Sequence, residues 1–118
     1  MEKEELEEII LGIREFAPDL IIAVTTSGRA YTEFSKRTDV LDLPGMAKPD
    51  MVSLTLSSLN FTQTVSANEP KMIQNIVNKM NEEGIKPELE IFDLGMINYA
   101  EYLTKKDCFI LHIMQISF

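Results

Sequence analysis

The sequence predicts an α/β protein with a parallel sheet, and three observations carry that expectation. Strand-like apolar runs occur at residues 20–25 (LIIAVT), 51–56 (MVSLTL) and 88–92 (ELEIF), about one every 30–36 residues. Helical periodicity precedes the first run and separates the second from the third. Finally, 118 residues can bury one sizeable core, whereas a whole (β/α)8 barrel needs about 250. Two architectures fit: a small doubly wound sheet, or a piece of a (β/α)8 barrel. Residues 1–118 are expected to form a single domain, since no repeat or low-complexity linker divides them.

Residues 2–16 read as a helix, with Leu6, Ile9, Ile10, Ile13 and Phe16 forming an apolar stripe and Pro18 ending it. The acidic run Glu2, Glu4, Glu5, Glu7 and Glu8 suits the solvated face near its N-terminus, where the macrodipole favours carboxylates. Residues 20–25 are a nearly continuous apolar run, the pattern of a strand buried on both faces. Ser27 and Gly28 break it, and a polar loop is expected through about Pro44. The strand at 51–56 runs into a second loop rich in Ser, Thr and Asn. The next helix begins around Pro70 with Asn68 as its N-cap, presents Met72, Ile73, Ile76, Val77 and Met80, and stops at Gly84. A third strand follows at 88–92 and a third helical segment at 96–103.

Composition narrows the function classes. A net charge of −8 opposes binding to phosphate backbones or anionic membrane surfaces, which need Lys and Arg. No apolar run approaches the length of a membrane span, and the acidic N-terminus is unlike a signal peptide. The single cysteine, Cys108, excludes an intrachain disulfide and fits a reducing compartment, so the expected location is cytoplasmic. No nucleotide-binding glycine loop, metalloprotease helix or serine-hydrolase elbow is present. The lone His112, in the apolar run FILHIM, is a core or incidental histidine, since zinc needs three or four ligands.

In parallel α/β folds functional groups gather at the C-terminal ends of the strands. Here those ends carry Thr25, Thr26, Ser27, Gly28 and Arg29, then Ser53 and Thr55, then Glu88 and Glu90 ahead of Asp93-Leu94-Gly95. Hydroxyls and backbone N–H groups suit a carboxylate or carbonyl oxygen, Gly28 permits close approach, and Arg29 offers charge-assisted pairing. The bland reading is that the first cluster only turns the chain. Glu88 and Glu90 share one strand face, which in a barrel would look inward and require a cation or ligand, and in an open sheet would meet solvent.

Three ordered stretches make the reading specific. KPELEIFDLGM (86–96), preceded by NEEGI, resembles the β-keto acid cleavage enzymes. PDLIIAVTTSGR (18–29) is similar to that family's strand and TTSG turn, and PDMVSLTLSSLNF (49–61) to its S-L-[NT]-x-[GS]-S-x-N-F segment. The resemblance covers roughly residues 10–104 and leaves 105–118 as a divergent tail. It implies a partial (β/α)8 barrel of about three parallel strands alternating with helices.

It also implies an enzyme with a divalent metal, usually zinc (Zn2+), and acetyl-CoA as co-substrate. A β-keto acid such as 3-keto-5-aminohexanoate is converted with acetyl-CoA to acetoacetate and a new acyl-CoA, a step of lysine fermentation. Ser27 and Gly28 match the turn at the substrate's carboxylate end; Ser53 and Thr55 match pocket-lining strand ends. Glu90 matches a pocket carboxylate that would pair with a substrate ammonium. The family's H-x-H metal pair and later metal-binding glutamate are not in this sequence, so it assigns neither a catalytic residue nor a metal ligand here. The expectation is a fragment inactive alone and prone to self-association through unpaired edges, from a family whose full-length members are homo-oligomers. The alternative is a free-standing α/β binding or signalling module; the Thr-Thr-Ser ending of the first strand lacks the acidic pair of a receiver domain.

Overall fold

A computed structural model describes residues 2–106. Helix α1 (Lys3–Phe16) leads into strand β1 (Ala23–Thr25), followed by the short helix α2 (Phe34–Arg37) and two 3-10 turns, Asp39–Asp42 and Gly45–Ala47. Strand β2 (Met51–Thr55), the two-residue strands β3 (Leu59–Asn60) and β4 (Val65–Ser66), helix α3 (Pro70–Glu83), strand β5 (Lys86–Glu90) and helix α4 (Leu94–Lys105) complete the order. Strands β1, β2 and β5 form a parallel sheet in that order, and β3 pairs with β4 as an antiparallel hairpin.

The sequential strand order, without reversal, distinguishes the two expected architectures. A doubly wound sheet reverses direction at a switch point and carries helices on both faces. Here Ile10 of α1, Ile73, Ile76, Val77 and Met80 of α3, and Met96, Ala100 and Leu103 of α4 join one core cluster with Val52, Leu54 and Leu89. All of these helices therefore cover the same face of the sheet. This is the arrangement of consecutive β/α units in a (β/α)8 barrel. Burying about twenty side chains of this size supplies the main driving force, at roughly 1.5–3 kcal/mol for each large aliphatic group.

Helix α3 follows its sequence signals closely. Pro70 occupies the first turn, Gly84 adopts φ +69° beyond the last turn, and the Ile85 N–H returns to the Met80 carbonyl at 2.9 Å. Its N-cap is Glu69 rather than Asn68, and no side chain caps it. Asn68 is instead buried and bonded to Arg37, a tertiary partner that outcompetes the local cap. Helix α4 starts two residues before the expected 96, because Asp93 accepts from the Met96 N–H at 2.8 Å and caps it.

Other expectations need correction. The first strand is shorter than residues 20–25 and is not buried on both faces: Ile21 is 66% exposed, Ala23 and Thr25 are exposed, and Ile22 alone of the run is buried. Strand β1 is an edge with one neighbour among the described residues, so its second side has no cover. The stripe of α1 is likewise only partly used; Ile10 is buried, while Phe16 is 90% exposed. The loop before Pro44 contains α2 and a 3-10 turn that bury Val40 and Leu41, so a compact, irregular crossover links β1 to β2.

The Ser/Thr-rich loop after β2 contains the β3–β4 hairpin, closed by the Phe61 N–H on the Thr64 carbonyl at 2.7 Å. Strand β5 occupies 86–90 instead of 88–92 and includes Pro87. Lys86 N–H and the Glu90 carbonyl bond toward β2, so the intervening Pro87 directs its N–H-less nitrogen toward the side of β5 that has no partner strand among the described residues, where proline costs no ladder bond. Cys108 and His112 lie outside the described residues.

Candidate functional site

The register of the sheet aligns the strand-end residues. Thr25 lies opposite Ser53, Ser53 opposite Glu88, and Thr55 opposite Glu90. Strand alternation puts Thr25, Ser53, Thr55, Glu88 and Glu90 on the face away from the helices, while Val52, Leu54 and Leu89 fill the core on the other. The two glutamates are therefore on the helix-free face, half-buried, as are Ser53 and Thr55. The Thr55 hydroxyl donates to the Glu90 carboxylate at 2.5 Å, so one hydrogen bond orients that acid at the C-terminal end of the sheet. Phe92 lies past the end of β5, and its N–H points at the Met96 sulfur at 3.1 Å.

The turn after β1 is tied down locally and from a distance. Ser27 N–H donates to the Thr25 hydroxyl at 3.1 Å, and Arg29 N–H to the Ser27 hydroxyl at 3.3 Å. Thr26 is buried, and its N–H and hydroxyl both reach the Ser53 carbonyl. Gly28 is where two loops meet: a Cβ there would stand 2.7 Å from the Ala67 carbonyl oxygen and 3.2 Å from Arg37 Nη1. The Arg29 guanidinium lies 4.6 Å from the centre of the Phe61 ring, stacking the turn on the hairpin.

Sequence reasoning missed Arg37. Its side chain is 4% exposed and donates from Nε to the Thr26 carbonyl and from Nη1 to the Ala67 carbonyl, each at 2.9 Å, and from Nη2 to the Asn68 side-chain oxygen. Asn68 continues the network: its N–H reaches the Ser58 hydroxyl at 2.8 Å and its amide nitrogen the Ser57 carbonyl at 3.3 Å. Burial lowers the Arg37 pKa from its ordinary value. The charge itself persists, because guanidinium groups stay protonated in proteins.

A cavity of about 540 Å³ opens beside β1, with Leu6, Thr25, Thr26, Ser27, Tyr31 and Arg37 among its walls. It takes in the Ser27 turn but not Ser53, Thr55 or Glu90. The predicted residues thus fall into two groups: Ser27 and Gly28 on the clamped turn, and Ser53, Thr55 and Glu90 on the helix-free sheet face. Among the described residues no cluster of three or more His, Cys, Asp or Glu side chains is placed to hold a metal. They do not by themselves fit a zinc centre. No helix among them is long and apolar enough to cross a membrane.

Comparison with known proteins gives these groups a context. A 3-oxoadipate:acetyl-CoA acetyltransferase of Cupriavidus necator is 38% identical over 99 residues, covering 84% of this chain and 33% of the relative. A 3-keto-5-aminohexanoate cleavage enzyme of Fusobacterium nucleatum is 35% identical over 100 residues, covering 84% and 35%. The chain therefore spans about a third of the length of the curated relatives it matches. In structure it is similar to ObcA in binary complex with oxaloacetate, at TM-score 0.76 and 21% identity over 89% of this chain and 23% of that one, a likeness of fold. The family model for beta-keto acid cleavage enzymes matches residues 1–117, and the chain belongs to that family.

Proposed function

We propose that this chain forms the substrate-side wall of a β-keto acid cleavage enzyme, in which a β-keto acid and acetyl-CoA yield acetoacetate and a new acyl-CoA. The observation that supports it best is the Thr55–Glu90 pair beside Ser53 and Glu88, on the helix-free face at the C-terminal ends of β2 and β5. Half-buried acids on that face favour a cationic partner, and a second carboxylate there is repelled. Among the relatives' named substrates, this favours one carrying an ammonium group on its distal half, as 3-keto-5-aminohexanoate does, over the dicarboxylate 3-oxoadipate.

Glu90 would hold the ammonium, Thr55 would orient Glu90, and Ser53 would line the same wall. Ser27 and Gly28 would approach the substrate's carboxylate end. The family's zinc finds no ligand set among the described residues, so no step is assigned through it, and the chain alone is inactive in this reading. The same reading places the protein in the cytoplasm, consistent with its single cysteine, and makes the full-length enzyme a homo-oligomer.

NMR titration of the 118-residue chain tests the substrate class with two stable analogues, 5-aminohexanoate and adipate. Saturable shifts at the Ser53, Thr55 and Glu90 amides with 5-aminohexanoate alone, lost in Glu90→Gln, are expected. An equal response to adipate, or none to either, refutes the assignment. Acetoacetate formed from a β-keto acid and acetyl-CoA by the isolated chain would overturn the claim that it is inactive.

A further inference from the structure

Arg37 does something that neither strand-end group explains. It is a buried cation, and among the described residues no carboxylate forms an ion pair with it. Its partners are neutral oxygens from two loops: Thr26 after β1, and Ala67 and Asn68 before α3. Through Asn68 the linkage extends to Ser57 and Ser58, which directly follow β2 and its Leu56 extension. A buried charge without a counter-ion is costly, and a planar fork with five N–H donors is the group that neutral acceptors can hold in several directions at once. Gly28 completes the fit, since any side chain would run into Ala67 and Arg37.

We propose that Arg37 is a positioning residue. One guanidinium sets the loop bearing Ser27 against the segment that follows Ser53 and Thr55, so the two halves of the strand-end site keep a fixed relation. On this view Gly28 is glycine because the clasp needs the space, whether or not a ligand also approaches it. The clasp stands on the hydrogen-bond geometry, and its consequence for ligand binding rests on the function proposed above.

Amide hydrogen exchange in the 118-residue chain tests the clasp without a ligand. Arg37→Lys keeps the charge but gathers its donors on one nitrogen, which does not match three acceptors spread around a planar guanidinium. Exchange at Ser27, Arg29 and Asn68 should quicken together by about ten-fold or more, with Leu54 and Leu89 within about two-fold of wild type, as for a local opening. Unchanged exchange, or loosening of one loop alone, overturns the proposal. If Arg37→Lys quickens every amide, Asn68→Ala decides the same comparison, because it removes the Asn68 side-chain bonds to Arg37 and Ser57, weakening the clasp while Arg37 stays bonded to Thr26 and Ala67.

Titration with 5-aminohexanoate then separates positioning from scaffolding. A dissociation constant raised about ten-fold in Arg37→Lys is expected, since small misplacements of binding groups are strongly felt. An unchanged constant in a variant with loosened loops refutes the positioning role. Absence of binding in the wild-type chain would defeat the proposed function, while the exchange result would still decide the clasp.

Discussion

Replacing Gly28 by alanine would set a methyl carbon 2.7 Å from the Ala67 carbonyl oxygen, 3.3 Å from the Ala67 nitrogen and 3.2 Å from Arg37 Nη1. Ordinary contact begins near 3.4 Å, so the backbone at Ala67 must retreat by about 0.7 Å. That oxygen also accepts from Arg37 at 2.9 Å, and moving it stretches a bond made by a buried charge. Overpacking of this kind costs about 1–3 kcal/mol, and weakening a charged hydrogen bond adds about 1 kcal/mol. A loss of about 2–4 kcal/mol in a domain of this size lowers Tm by about 8–16 °C. Thermal unfolding followed by circular dichroism measures it. Gly12→Ala is the control: it lies inside α1 with nothing within 4 Å of the added carbon, and should gain about 0.5–1 kcal/mol. A Gly28→Ala variant within about 0.5 kcal/mol of wild type would show that the two loops are not held as described.

Asp93→Ala removes the cap of α4 and should cost about 0.5–2 kcal/mol, with raised exchange at the Met96 amide as the local signature. Ile76→Ala empties a fully buried position in α3 and should cost about 2–5 kcal/mol in urea unfolding, with an unchanged denaturant slope. The Glu101 pKa is lowered by its hydrogen bond and attraction to Lys105 one helical turn on. Because the folded pKa is the lower one, the pair's small stabilisation is present above the ordinary glutamate value and is lost as pH falls through the folded pKa. An NMR titration of Glu101 should therefore return to the ordinary midpoint in Lys105→Met. Exposed Phe16, Leu20 and Ile21 beside the open edge of β1 should drive concentration-dependent self-association, and a single monomeric species by sedimentation velocity at high concentration would contradict this.

What could be read in the sequence followed local chemistry. Pro70, Gly84 and the stripe of α3 marked that helix because its caps and periodicity lie within a few residues of one another. The shared face of Glu88 and Glu90 was legible for the same reason, since strand alternation needs no partner to be counted. The boundary at β1 was not, because LIIAVT reports hydrophobicity but not how many neighbours a strand has. Pro87 hid the start of β5, as its acceptability depends on which edge of the sheet its nitrogen faces. Arg37 and Asn68 stand 31 positions apart in segments that read as polar connections, so no periodicity links them. The sequence trace of that contact is Gly28, whose missing side chain fits both the approach of a ligand and the closeness of Ala67 and Arg37.

The alternation along β2 and β5 also bears on how such a protein changes over generations. Val52, Leu54 and Leu89 answer to the stability of the fold, and a substitution there is felt by every helix that leans on them. Ser53, Thr55, Glu88 and Glu90 contribute nothing to that cluster. Mutations at these positions can therefore accumulate without unfolding the chain, and selection can act on what they touch one residue at a time. A sheet organised in this way lets a lineage explore new ligands on an inherited scaffold.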